Sequence, residues 1–224
     1  MCGRFTLTAT AADLRAAFPW LKIARGSDMA TRYNVAPGQR VAVVPNDGHK
    51  TLVYFRWGFS PRCARKRTAG KILINARAET LSEKPTFRAA YSHRRCLVLA
   101  DGFYEWKKEG GSRAKTPVHI KLRSGEPFAF AGLWDSMVTP AGDIVRTCLV
   151  VTTTSNSLLE PIHHRMPVIL NEGSLERWVD SSETHPRALD ACLQPFPADP
   201  MIAWPVSTLV NNPGNDSPSC VEPA

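Results

Sequence analysis

A cysteine in the second position, in Met1-Cys2-Gly3-Arg4-Phe5, can put two nucleophiles at the start of the chain. An initiator methionine before a small residue is normally trimmed, and Cys2 then carries a free α-amine and a thiol on adjacent carbons. The amine titrates near about 7.7–8.0 and the thiol near about 8.5, so both are partly nucleophilic at neutral pH. Such an amine condenses with an aldehyde to an imine, and the thiol can close on the imine carbon as a five-membered thiazolidine. Gly3 leaves the backbone open to close approach, and Arg4 is a permanent cation suited to phosphate. Many chains also begin Met-Cys by accident, so this chemistry needs partners elsewhere.

Three segments offer them. In Ile74-Asn75-Ala76-Arg77-Ala78-Glu79 a polar triplet follows an apolar strand. Asn75 can bond a sugar or a catalytic group, and Arg77 can grip phosphate through two N–H groups. A plain strand-end turn with surface charges fits the same residues. In Asp101-Gly102-Phe103-Tyr104-Glu105-Trp106, aromatic neighbours would raise the Glu105 carboxyl and make it a general acid at neutral pH. Trp106 offers a stacking face. Strict alternation gives the competing picture, with Tyr104 and Trp106 in the core and Glu105 exposed. In His163-His164-Arg165-Met166-Pro167 one histidine can shuttle protons, and no third ligand at a telling spacing suggests a metal.

The elements that must position these residues are mostly strands. With 224 residues, 43% hydrophobic and 21% charged, the chain suits one soluble domain or two small ones. No apolar run reaches the roughly 18 residues of a membrane span, and no secretory signal opens the chain, which predicts a cytoplasmic protein. The six cysteines form no C-x-x-C pair, so neither zinc nor a disulfide framework is expected, and Cys96 and Cys148 read as core. Residues 1–115 hold 22 basic and 8 acidic residues, against 6 and 12 in the remainder. So lopsided a charge fits a polyanionic partner or simply a solvated basic face.

Short helices are expected over Thr8–Phe18, Pro85–Arg95, Leu175–Val179 and Pro186–Leu193. Strands are expected at Val41–Val44 and Leu52–Phe59, joined across Asn46-Asp47-Gly48, and at Cys96–Ala100 and Phe103–Lys107. Others are expected at Val118–Leu122, Phe128–Trp134, Ile144–Thr153, Val168–Leu170 and Ile202–Val206. Arg32–Gly38 reads as a loop, residues 60–71 as an exposed basic loop, and the tail from Asn211 as loop with partial disorder. Many short strands and few helices predict an α+β domain built on mostly antiparallel sheet. No G-x-S-x-G, P-loop or G-x-G-x-x-G occurs.

Six blocks, in order, carry a further signal: Met1–Phe5, Arg32–Gly38, Trp57-Gly58, Ile74–Glu79, Arg95–Leu97 with Ala100–Trp106, and Ile162-His163 with Arg165–Pro167. Val206-Ser207 and Val210-Asn211 extend them. Together they resemble the SRAP (SOS response-associated peptidase) family over residues 2–212, leaving 213–224 as a tail, and the resemblance implies a single domain whose sheet curls into a barrel-like core with peripheral helices. The resemblance implies a protein that recognises abasic sites in single-stranded DNA and crosslinks to them through a mature N-terminal Cys2. The imine precedes the thiazolidine, and an abasic-site lyase activity accompanies it. It implies that Cys2 is the nucleophile, Asn75 orients the reacting group, Glu105 is the acid/base that opens the deoxyribose ring, and His163 supports the imine. Gly3, Arg4, Arg77 and Arg165 would meet the DNA backbone, and Asn34, Pro37 and Trp106 would line the cleft. No cofactor is implied, and a monomer is expected. The alternatives are a thiol peptidase, acting through Cys2 and His163 and perhaps only on Met1, and a non-covalent single-strand binding module. The sequence departs from the family where His164 replaces a usual aspartate, Cys63 stands for a second tryptophan, and Val98-Leu99 replaces Ile-Pro.

Overall fold

The computed structural model describes residues 2–24, 29–60, 72–110, 114–139 and 141–224. Most of the expected basic loop, with Cys63, lies outside the described residues. Among them, no helix is long and apolar enough to cross a membrane.

Two sheets build the molecule. The first runs β12 (Met201–Pro205), β8 (Lys115–Leu122), β7 (Gly102–Lys108), β1 (Arg4–Leu7) and β2 (Arg32–Val35), each antiparallel to its neighbours. The second runs β11 (Arg165–Pro167), β10 (Ile144–Thr154), β4 (Val53–Trp57), β3 (Arg40–Pro45), β6 (Arg95–Ala100) and β9 (Phe128–Val138). β9 pairs back onto β10, so β10, β4, β3, β6 and β9 close a five-stranded barrel. β5 (Asn75–Arg77) and β4 lie parallel to β10, and the other pairings are antiparallel. The expected antiparallel, barrel-centred α+β domain is what forms.

Barrel strands are covered on both faces, so they read as unbroken apolar runs; all six residues of β6 are buried. One face packs under α1 (Ala11–Ala17), α2 (Pro85–His93), α3 (Glu172–Val179) and α4 (Pro186–Asp190). There Leu14, Phe87, Tyr91, Trp178 and Leu189 meet Leu97, Leu133 and Leu149. α1 starts at a capping box, in which Thr10 accepts from the Asp13 amide and Asp13 from the Thr10 amide. Arg95 is fully buried. Its guanidinium donates to the carbonyls of Tyr91 and Ser92 at the end of α2, of Trp178 and Asp180 at the end of α3, and of Glu183. A cation there meets the negative ends of two helix dipoles. The other face joins the barrel to the first sheet through Phe5, Trp57, Val98, Phe103, Val118, Phe130 and Cys148.

Four expectations change. Arg32–Gly38 is not all loop: its first four residues are β2, paired with β1. The Asn75 triplet does not follow a strand but is one, held by β10. The strand near residue 168 comes earlier, as β11 over Arg165–Pro167. The tail is ordered. Val206, Val210 and Cys220 are buried against Tyr104 and Trp204 on the outer face of the first sheet, and a 3-10 turn forms at Pro218–Cys220. Asp216 clamps it by accepting from the Tyr33 and Asn34 amides and from Arg32.

Candidate active site

β1 carries the cysteine into the molecule. Arg4 lies opposite Tyr104 and Phe5 opposite Phe103, so continuing that antiparallel register draws the residues before Arg4 alongside Glu105 and Trp106. Gly102 opens β7 because a side chain there would collide: a Cβ would sit 2.3 Å from His119 Nε2 and 2.7 Å from Thr6 Oγ1. On the other flank, β5 presents Asn75, whose Nδ2 donates to the Cys2 carbonyl at 2.8 Å. Trp57 braces both sides. Its ring packs 5.1 Å from that of Phe5, and its Nε1 donates to the Ile74 carbonyl at 3.0 Å.

The electrostatics follow from burial. Glu105 is 2% exposed, and burial pushes its carboxyl up to about 7. The picture of an exposed Glu105 is therefore overturned: β7 is covered on both faces, so alternation does not sort it into core and surface. Cys2 is fully buried. Burial, then the nearby Glu105 carboxylate, hold its thiol well above the usual thiol range. Asn75 Oδ1 is buried with no hydrogen-bond partner. An unmet acceptor of this kind costs about 1–3 kcal/mol and fits a group that a ligand completes.

His163 stands on the turn before β11. Its Nδ1 lies 3.0 Å from the Arg165 amide and 3.1 Å from the Arg165 carbonyl, so it accepts from one or donates to the other according to the tautomer. Burial lowers its pKa, with His164 and Lys115 adding to the effect, so the imidazole is neutral at neutral pH. The His164 ring stacks on it at 4.5 Å. The Lys115 charge acts on both His163 and Glu105, which ties the two to one neighbourhood. Nothing local in the sequence marks Lys115, which opens β8 opposite Lys108 at the end of β7.

The remaining expected contacts divide. Arg77 and Pro37 are exposed, and Gly3 is half-buried beside Cys2. Arg165 is instead buried, and its two terminal nitrogens fork onto Glu79 at 2.6 and 2.9 Å, with a further bond to the Thr152 carbonyl. It positions the His163 turn, and its guanidinium is not open to phosphate. Asn34 is likewise fully buried, so it does not line a cleft. Its Nδ2 reaches the carbonyls of Val210, Asn212 and Asn215, and its Oδ1 accepts from Arg4 at 2.8 Å. Arg4 also donates to the carbonyls of Val210 and Asn211, and Trp106 Nε1 to Asn211 Oδ1 at 2.7 Å. Both therefore lie against the C-terminal segment.

Residues 1–213 match the family model described as SOS response associated peptidase (SRAP). The chain is 44% identical over 223 residues, 99% of each chain, to the abasic site processing protein YoqW of Bacillus subtilis. It is 32% identical to the abasic site processing protein YedK of Escherichia coli, with both chains fully covered. A crystal structure of a protein from Bacteroides thetaiotaomicron superposes over both whole chains with a TM-score of 0.86 at 27% identity.

Proposed function

The chain belongs to the SRAP family, and from that premise we propose that it processes abasic sites by capturing the opened sugar covalently on Cys2. Relatives named for abasic-site processing support the substrate. The observation that carries the chemistry is the meeting of Cys2 with Asn75 and with a buried, protonatable Glu105.

Removal of Met1 frees the Cys2 amine. Protonated Glu105 donates to the ring oxygen of the abasic deoxyribose, and the ring opens to the aldehyde. The amine adds to the aldehyde carbon, and loss of water gives the imine, with neutral His163 relaying protons. Asn75 holds the Cys2 carbonyl with its amide and offers Oδ1 to the sugar. The thiol then adds: sulfur bonds to the former aldehyde carbon, the thiol proton passes to nitrogen, and the thiazolidine ring closes. Alternatively, the imine loses a proton from the adjacent carbon and expels the 3′ phosphate, which is the lyase branch. A buried thiol with a raised pKa is a poor first nucleophile, so the amine acts first. The same property weighs against a thiol peptidase, which needs a lowered thiol pKa. Single-stranded DNA as substrate avoids the cost of unpairing a duplex, and exposed Arg77 and Pro37 border its path.

The test is a single-stranded oligonucleotide with one abasic site, followed by denaturing electrophoresis. The Met1-free protein should give a stable adduct, and Cys2→Ala should give none. Absence of adduct with the mature protein, or equal adduct with Cys2→Ala, refutes the reading. Cys2→Ser should keep imine-dependent cleavage, trapped by borohydride, without the stable ring.

A further inference from the structure

A second basic feature lies away from Cys2. β4 and β10 pair only at Arg56 opposite Thr147 and Trp57 opposite Cys148. Before that point residues 144–146 keep only the pairing with β9 that runs on through Val150, and β4 and β10 part. The gap is a cleft of about 390 Å³ lined by Gly38, Arg40, Tyr54, Arg56 and residues 144–146, with apolar Ile144 exposed at its edge. Arg40 and Arg56 are direct cross-strand partners, an arrangement of like charges that destabilises a sheet. Among the described residues no carboxylate relieves it; the ion pairs engage Arg32, Arg94 and Arg165 instead. The arginines rest on rings: Arg40 Cζ lies 5.7 Å from the Tyr54 centroid and Arg146 Cζ 5.8 Å from that of Phe55. Such contacts orient guanidinium groups without neutralising them.

We infer that this cleft takes successive phosphates of the DNA strand whose lesion sits at Cys2. The inference rests on the proposed capture of abasic sites and extends the footprint of that site. Its position fits. Gly38, with φ 89°, follows exposed Pro37 and turns the chain from the site into the cleft. Along β10, Val150 lies beside Asn75, and Arg146 is four residues further, or roughly 13 Å. At ~3.4 Å per stacked nucleotide, or up to about twice that when extended, the arginines reach phosphates roughly two to four nucleotides from the reacting sugar.

The experiment compares two abasic oligonucleotides, one with long arms and one trimmed to a single nucleotide on each side. Binding is measured across salt concentrations and adduct formation at fixed time. For the parent, the long strand should bind more tightly, with the steeper salt dependence. In Arg40→Gln/Arg56→Gln/Arg146→Gln, affinity for the long strand should fall about tenfold, and the salt slope should drop by about 2, from ~0.7 per lost phosphate contact. The long-to-short ratio should move towards one, and trimming one arm of the parent's substrate, not the other, should reproduce the effect. The triple Arg→Lys variant should keep most of the slope, and thermal melting establishes that both variants fold. Equal weakening on long and short strands, or an unchanged long-strand slope, overturns the inference. If the parent forms no adduct with either strand, the capture reading itself has failed; adduct with an arginine-independent length preference sinks only the cleft.

Discussion

The two faces of the first sheet use the same kinds of residue for opposite ends. On the inner face, burial raises the Glu105 carboxyl to about 7, and β5 of the second sheet brings up Asn75, whose Oδ1 has no hydrogen-bond partner among the described residues. On the outer face, Asn34, Arg4 and Tyr104 donate to carbonyls of the C-terminal segment, while the buried His119 ring between Tyr104 and Trp204 meets aromatic faces and no hydrogen-bond partner among the described residues. A satisfied network fixes geometry, and an unsatisfied one stores capacity to bind. Successive residues of one strand, Tyr104 and Glu105, belong to the two regimes. Burial alone therefore does not separate chemistry from scaffold; which groups each buried side chain meets does.

The largest effect should come from the inner face. Glu105→Gln keeps the shape and removes the titrating proton. Adduct formation should slow by about 10²–10⁴, the usual worth of a general acid, measured as initial rate on excess abasic DNA. In the parent, the rate should fall as pH rises through about 7, where Glu105 loses its proton, while freeing the amine lifts it towards about 8. The variant should keep only the rising limb. Stability gives a second reading with its own sign. The carboxyl titrates higher folded than its ordinary unfolded value near about 4.3, so the charged form is disfavoured in the fold. The parent should lose stability as pH climbs from about 4 to about 7, and the variant should not, as read from Tm against pH.

On the outer face the expected signature reverses. Asn34→Ala removes one side chain bound to Arg4 and to three carbonyls and strands buried partners. It should cost about 2–4 kcal/mol by denaturant titration, with the adduct rate per folded molecule little changed below the transition. A variant as stable as the parent but slow to form adduct would dissolve the distinction between the faces. Arg165→Lys lies between the two regimes. One ammonium cannot reproduce the fork onto Glu79, so the His163 turn loosens, and adduct formation should slow several-fold. Unchanged kinetics would mean that Arg165 positions nothing.

Legibility in the sequence follows the same division. The barrel strands were readable because continuous apolar runs admit few other fates, and Thr10 with Asp13 marks a helix start by local chemistry. Cys2, Asn75, Glu105 and His163 were legible as candidate chemistry because their residue types and motif contexts are distinctive. What they touch was not legible, because partners such as Lys115 arrive only through the fold. Charge misled most. The arginines include Arg4, Arg95 and Arg165, engaged internally, and Arg40, Arg56 and Arg146, which have no carboxylate partner among the described residues. Nothing local to an arginine says which kind it is. The tail reads as loose chain because Pro, Asn, Gly and Ser dominate it, yet those residues also build tight turns, and Asp216 fastens them by accepting from the distant Tyr33 and Asn34 amides.

The smallest effect sharpens the comparison most, because Trp106 stands where the faces meet. It follows Glu105 directly, is half-buried, and fixes its indole by one bond from Nε1 to Asn211 Oδ1. Trp106→Phe removes that bond and keeps an aromatic face. As a scaffold residue alone, it should lose about 0.5–1.5 kcal/mol of stability and nothing in DNA affinity. If its ring also carries a base of the bound strand, Trp106→Ala should cost a further ~1–3 kcal/mol in binding, while Trp106→Phe retains most of the affinity. Stability by denaturant melt and affinity for an abasic strand, measured on the same pair of variants, separate the two roles. Equal affinity for Phe and Ala variants would assign Trp106 wholly to the outer network. A selective loss in Ala would place the boundary between the regimes within a single side chain, its nitrogen holding the scaffold and its ring facing the strand.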